Sequence, residues 1–163
     1  MSESAIVHDT FVLYRNFSKP AAQVYAAFCN PVTKRRWFAE GQSHDVLAFD
    51  MDFRVGGSEQ AHYRMNESTP FPGAELKHQG SFVDIVPESR IVIASTMAFG
   101  EKTISASLVA FEIVPSASGA TLICTHQAVF FEGADGPQIR RAGIETLLNR
   151  LVDTVETQGN GRG

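Results

Sequence analysis

From Ile6 to Phe17 the chain is rich in β-branched and aromatic residues (Val7, Thr10, Phe11, Val12, Leu13, Tyr14, Phe17), a pattern that predicts a strand. Ser18-Lys19-Pro20 reads as a helix start, with Ser18 or Lys19 at the cap. Pro20 in the first turn sacrifices no intrahelical hydrogen bond. Ala21, Val24, Tyr25 and Phe28 then fall at helical spacing, and Asn30-Pro31 ends that short helix. A second short helix is predicted from Pro31 to Trp37. Its last turn holds Lys34, Arg35 and Arg36, where cations suit the helix dipole.

The middle of the chain is a run of strands. Val46 to Phe53 alternates, with Leu47, Phe49, Met51 and Phe53 on one face and Val46, Ala48, Asp50 and Asp52 on the other. Gly56-Gly57 signals a bulge or a close approach of two backbones, and strand character resumes from Ser58 to Met65. After a loop from Asn66 to Gly73, strands are predicted over Ala74–Val86, Arg90–Phe99, Thr103–Val114 and Ala120–Phe130. Their short connections favour an antiparallel meander.

From Pro137 to Thr157 the period changes to that of a helix. Ile144, Leu147, Leu148, Leu151 and Val155 form one stripe, and Arg140, Arg141, Glu145, Asn149, Arg150 and Asp153 cover the opposite face. A helix of this length must bury its stripe, and the inner face of a curved sheet is the surface available. The expected architecture is α+β: one strand, two short helices, six strands, then a long helix gripped by the sheet.

Composition narrows the class. The chain has 163 residues, enough for one domain over 1–163, with order expected over 6–157 and a frayed tail at Gly159–Gly163. Apolar residues at 44% and charged ones at 20% exclude wholesale disorder. A net charge of −4 leaves no basic face for nucleic acid. The N-terminus has no basic, apolar leader and no window is apolar enough to span a bilayer, so a cytoplasmic protein is expected. Twelve phenylalanines against one tryptophan and three tyrosines imply a large aromatic core or an aromatic-lined cavity.

Few residues offer chemistry. His8, His44, His62, His78 and His126 are scattered without metal-ligand spacing, so no metal and no cofactor is expected. Phosphate-loop and nucleophile-elbow motifs are absent, and Cys29 and Cys124 read as small core residues. His126 lies in phase with Leu122 and Cys124 on the last strand and is open to two readings, a general base or a hydrogen-bonded histidine at the rim of the core. Asp52 and Arg54 are placed to form a structural ion pair. Trp37 and Phe38 either cap the mouth of an apolar pocket or pack on the core.

Several segments, in order, carry a family likeness. Phe17–Pro20, Val24–Phe28, Asn30-Pro31, Arg36–Phe38 and Asp52–Gly57 resemble the bacterial relatives of the activator of heat-shock protein 90 ATPase, within the START-like, SRPBCC superfamily. Gly80–Ile91, Phe111–Pro115, Gly119–Leu122, Thr125-His126 and Leu147–Leu151 continue the likeness. The family's usual Gly-Trp before the last helix stripe is replaced by Ala142-Gly143-Ile144, which removes one aromatic lid. The resemblance implies the helix-grip fold of the birch-pollen allergen, with a cavity between sheet and helix. Its expected lining is Phe49, Met51, Tyr63, Met97, His126, Leu147, Leu148 and Leu151, with Trp37 and Phe38 near the mouth. Three functions follow as expectations. The first is a non-catalytic domain binding a small hydrophobic molecule. The second is a polyketide cyclase or dehydratase-like enzyme using His126 and Tyr63. The third is a co-chaperone that binds a heat-shock chaperone and stimulates its ATPase. Pairing into a homodimer is also expected of small domains of this type.

Overall fold

Short turns and one longer loop, over 66–74, join the strands from His44 onward, so each of them pairs with its neighbour in sequence. The computed structural model describes residues 4–158, and the tail at 159–163 lies outside them. The strands are β1 (Val7–Phe17), β2 (His44–Met51), β3 (Ser58–Met65), β4 (Glu75–Val86), β5 (Arg90–Phe99), β6 (Lys102–Ser116) and β7 (Gly119–Phe130). They form one antiparallel sheet in the order β1-β7-β6-β5-β4-β3-β2. Between β1 and β2 come α1 (Ala21–Cys29), α2 (Pro31–Lys34) and a π-helical turn at Arg35–Ala39, and α3 (Pro137–Gln158) follows β7. This is the α+β arrangement expected, with α3 laid across the concave face.

Glycine permits two close backbone approaches. A Cβ on Gly57 would stand 2.0 Å from the Asp52 carbonyl oxygen, and one on Gly119 would stand 2.3 Å from that of Phe17. The second contact brings the β6–β7 turn against the end of β1.

The structure departs from the pattern reading in several places. Register shifts between Val46 and Ala48 in β2, which turns Leu47 outward to 40% exposure although it was placed with Phe49 and Met51. A bulge changes the phase of everything beyond it, and alternation alone does not reveal it. The strand also stops at Met51, and Phe53 packs edge-on to Tyr25 and Phe82 from the following loop. Helix α1 begins at Ala21 behind Pro20, with no side-chain cap. Ser18 instead donates its backbone N–H and hydroxyl to the Glu156 carboxylate of α3. The second helix is α-helical only to Lys34 and then widens, closing with Glu40 N–H to Arg35 O at 3.0 Å.

The core is uneven along α3. Leu148, Leu151 and Val155 are completely buried, in one cluster with Phe17, Phe28, Phe111, Ile113 and Leu122. Ile144 and Leu147, nearer the helix start, are only half-buried. Arg140, predicted on the solvent face, is buried, and Arg150 is drawn partly inward. Leu151→Ala is expected to cost about 2–5 kcal/mol, as a buried leucine does, and Leu147→Ala less than half as much. Urea unfolding of the two variants checks this; equal losses would mean that α3 is clamped evenly along its length.

Candidate functional site

The strand registers place side chains of different size along the concave face. One cross-strand row runs Ile91 and Phe111 to Cys124, and another runs Ile93 and Val109 to His126. Further toward the start of α3 come Gly80, Ser95, Ser107 and Ala128 in one row and His78, Met97, Ser105 and Phe130 in the next. Residues directly opposite in an antiparallel pair share a face, so all of these point toward α3. Ile91, Ile93, Phe111 and Ile113 are closed off from solvent, whereas the inward-facing Ser95, Met97, Ser107 and Val109 are only half-buried. Ser95, Met97, Ser107 and Val109 on the sheet and Ile144 and Leu147 on α3 are thus a half-buried patch in an otherwise closed face, the candidate gap between sheet and helix.

The residues singled out in the sequence divide around it. Tyr63, Met97 and Leu147 are half-buried, and His126, Leu148 and Leu151 are buried. Phe49 and Met51 are half-buried on β2, with Phe49 against Phe38 at 6.3 Å between ring centroids. Trp37 is not at a mouth. It is 1% exposed, its Nε1–H donates to the Ala27 carbonyl at 2.8 Å, and its ring packs edge-on to Phe28 and Phe38. Asp52 and Arg54 pair at 2.7 Å in solvent. The concave face is more polar than the resemblance implies, because Ser95, Ser105, Ser107 and His78 stand on it. Two surface concavities lie elsewhere. One of about 380 Å³ crosses β1, β7 and β6 around Thr10, Leu108 and Gln127, and one of about 220 Å³ lies between Phe11 and Arg141.

Beside the gap lies a buried charge cluster that the sequence reading missed. Lys34, expected in the last turn of the second short helix, is 1% exposed, and its Nζ is 2.7 Å from Glu59 Oε2. The Glu59 side chain is completely buried, and its other oxygen is 3.0 Å from His78 Nε2. The Phe28, Trp37 and Phe38 rings surround the ammonium at 5.5, 5.1 and 4.6 Å. Burial works to raise the Glu59 pKa, but the Lys34 charge and the His78 hydrogen bond outweigh it and hold the carboxyl at about 2. An ionised carboxylate only accepts, so His78 Nε2–H donates to it, and in the neutral ring Nδ1 carries the lone pair. A carboxylate-oriented imidazole, here packed edge-on to Phe38 at 5.2 Å, is an arrangement suited to moving a proton. The missed signal was in phase and spacing: Glu59 alternates with Ala61 and Tyr63, and Lys34 precedes Trp37 and Phe38 by one helical turn.

His126 occupies the opposite wall. Its ring stacks on Phe11 at 4.7 Å and 13°, and Arg141 lies 5.7 Å from the centroid of the same Phe11 ring. Burial and the nearby Arg140 charge push its pKa down to about 4, against a smaller upward pull from Asp135 and Asp9. The ring is therefore neutral at pH 7, and its buried Nδ1 has no partner among the described residues. Arg140 itself is satisfied, by a two-pronged bond to Asp135 at 2.8 Å and one to Ser105 Oγ at 2.9 Å. Burial pushes the Cys124 thiol up to about 12, which suits a core residue and not a nucleophile.

With this geometry in view, known proteins supply the family. The sequence model described as activator of Hsp90 ATPase homolog 1-like protein matches residues 18–156. The chain belongs to that family. A putative uncharacterized protein from Rhizobium leguminosarum is 32% identical over 93% of this chain and 97% of its own, with a TM-score of 0.86. The Mll3558 protein from Rhizobium loti is 35% identical over 93% and 99%, with a TM-score of 0.81. An AHSA1-like protein from Aeromonas hydrophila, at 16% identity over 95% and 97% and a TM-score of 0.67, shares the fold. No curated protein matches. The helix-grip architecture is that of this family, and none of the described helices is long and apolar enough to cross a membrane.

The two walls predict separate acid responses. The lowered Glu59 pKa makes a contribution that is complete above the free-carboxyl value and is lost as pH falls toward 2. The lowered His126 pKa makes one that is lost earlier, because the unfolded chain takes up its proton from pH 6.5 downward while the folded one resists until about 4. Unfolding free energy measured against pH is expected to fall by about 3 kcal/mol less between pH 6.5 and 4 in His126→Phe than in the native chain. Glu59→Gln is expected to lose about 3–5 kcal/mol at pH 7, because Lys34 is left buried without its counter-charge. A Lys34→Met, Glu59→Leu double variant is expected to recover much of that loss.

Proposed function

We propose that this chain is a START-like binding domain whose ligand, a small and largely apolar molecule, enters the gap between the sheet and the first half of α3. The observation that supports this reading is the burial contrast along one concave face. Ser95, Met97, Ser107 and Val109 point at α3 yet stay half-open among buried neighbours, around a row of small residues formed by Gly80, Ser95, Ser107 and Ala128. In a face that served packing alone, larger residues would take that row, since interiors pack to crystal-like density. The gap offers Met97, Val109, Ile144 and Leu147 to an apolar body, and His126 Nδ1 to one hydrogen-bonding group, since a buried nitrogen without a partner costs about 1–3 kcal/mol. A mostly apolar site with a few placed polar groups is the usual make-up of a small-molecule pocket.

The test uses a neutral solvatochromic dye, Nile red, with native mass spectrometry of the freshly purified chain beside it. Saturable one-site fluorescence enhancement is expected. Ser107→Phe, which fills the floor, is expected to weaken it at least about tenfold. A thermal melt establishes that the variant is folded, and Ser95→Leu serves if it is not. Unchanged dye binding in the folded, filled variants would overturn the reading.

A further inference from the structure

Arg150 is a cation with no ion-pair partner among the described residues. It leaves α3 toward the segment that leads into β2, and it lies so close over Gly41 that a Cβ there would be 2.7 Å from Nη1. The same Cβ would be 2.8 Å from the His44 ring, which packs edge-on to Tyr63 at 4.7 Å. His44 is itself engaged, with Nε2 2.6 Å from the Ala39 carbonyl oxygen. Tyr63 stands on the inner face of β3, two residue pairs along from Ala61 and His78. Arg150 Nε is buried and has no hydrogen-bond partner, and the guanidinium makes no ion pair among the described residues. Glu40, whose charge reaches it, is exposed and held by Arg35 at 3.2 Å. Of the other cations near the gap, Lys34 is committed to Glu59 and Arg140 to Asp135.

A half-buried guanidinium with a desolvated, unpaired nitrogen is costly unless something anionic meets it. On α3 Arg150 follows Leu147, a wall of the gap proposed above, by three residues, less than one turn. We propose that Arg150, with the Tyr63 hydroxyl beside it, holds the carboxylate of an amphipathic monocarboxylic acid whose hydrocarbon chain lies in the gap. A planar carboxylate matches the guanidinium fork. A dianionic headgroup such as a phosphate monoester fits less well, because Lys34 and Arg140 are already paired and Glu40 and Glu59 lie close by. This assignment rests on the binding reading above and names the chemistry of the ligand's polar end.

The experiment displaces Nile red from the full chain with dodecanoate or 1-dodecanol at pH 7.5, each below its aggregation limit. Equal tails isolate the head. Dodecanoate is expected to bind at least about tenfold more tightly than the alcohol, and more weakly as salt is raised. Arg150→Gln is expected to erase that preference while the alcohol binds as before, and Arg150→Lys to keep part of it. If acid and alcohol bind the native chain equally, the role of Arg150 is overturned while the binding reading stands. If neither displaces the dye, the binding reading falls and this inference with it. Retention of the acid preference in a folded Arg150→Gln variant also overturns the inference.

Discussion

The packing of Leu148, Leu151 and Val155 against the sheet fixes one end of α3, and the rest of the molecule is arranged around that contact. Phe17, Phe28, Phe111, Ile113 and Leu122 form the other side of it, so β1, α1, β6 and β7 all meet there. Because a helix is stiff and the sheet curves, clamping one end determines how far apart the two surfaces stand at the other. The size of the floor side chains decides whether that separation is filled. Isoleucine and phenylalanine fill it near the clamp, and a row of glycine, serine and alanine follows before large residues return at His78, Met97 and Phe130.

The Lys34–Glu59–His78 cluster solves a different problem. The two helical segments between β1 and β2 must be fixed to the far side of the sheet, where the apolar surface is thin. A buried ion pair is seldom a net source of stability compared with an apolar replacement, but it is unforgiving of misplacement. The π turn at Arg35–Ala39 follows directly, so Lys34 and Trp37 reach the interior together while Arg36 remains in solvent. The aromatic rings around the ammonium replace part of the water it has lost. The same cluster orients His78, so a device that anchors the helices also sets the chemistry of the gap's floor.

The order of elements and the helix-grip architecture were legible because they rest on long periodic signals. The 3.6-residue stripe from Ile144 to Val155 and the turn residues at Pro87–Ser89 and Pro115–Gly119 are examples. Less legible was anything that depended on phase after a local irregularity. One inserted residue at Leu47 reversed the facing of half of β2, and one widened turn moved Lys34 from a helix end to the interior. The serine floor was invisible for another reason. Serines alternating with apolar residues read as a solvent face until cross-strand pairing puts Gly80, Ser95 and Ser107 side by side. Long cations such as Arg140 and Arg150 mislead a helical wheel, since their stems reach several ångströms from the face that bears them.

The position of β1 at the edge beside β7 has a kinetic consequence. Strands β2 to β7 are joined hairpin by hairpin and can form as they emerge during synthesis, whereas Val7 faces Phe130 and Phe17 faces Ala120. Of this sheet, the first strand made is therefore the last to be paired, and it waits unpartnered until β7 has been made. Non-local pairing of this kind slows folding and leaves a strand edge exposed to other chains in the meantime. Lys19 and Pro20 directly after that strand, and Asp9 and Arg15 within it, put charge and a break where such mispairing would begin.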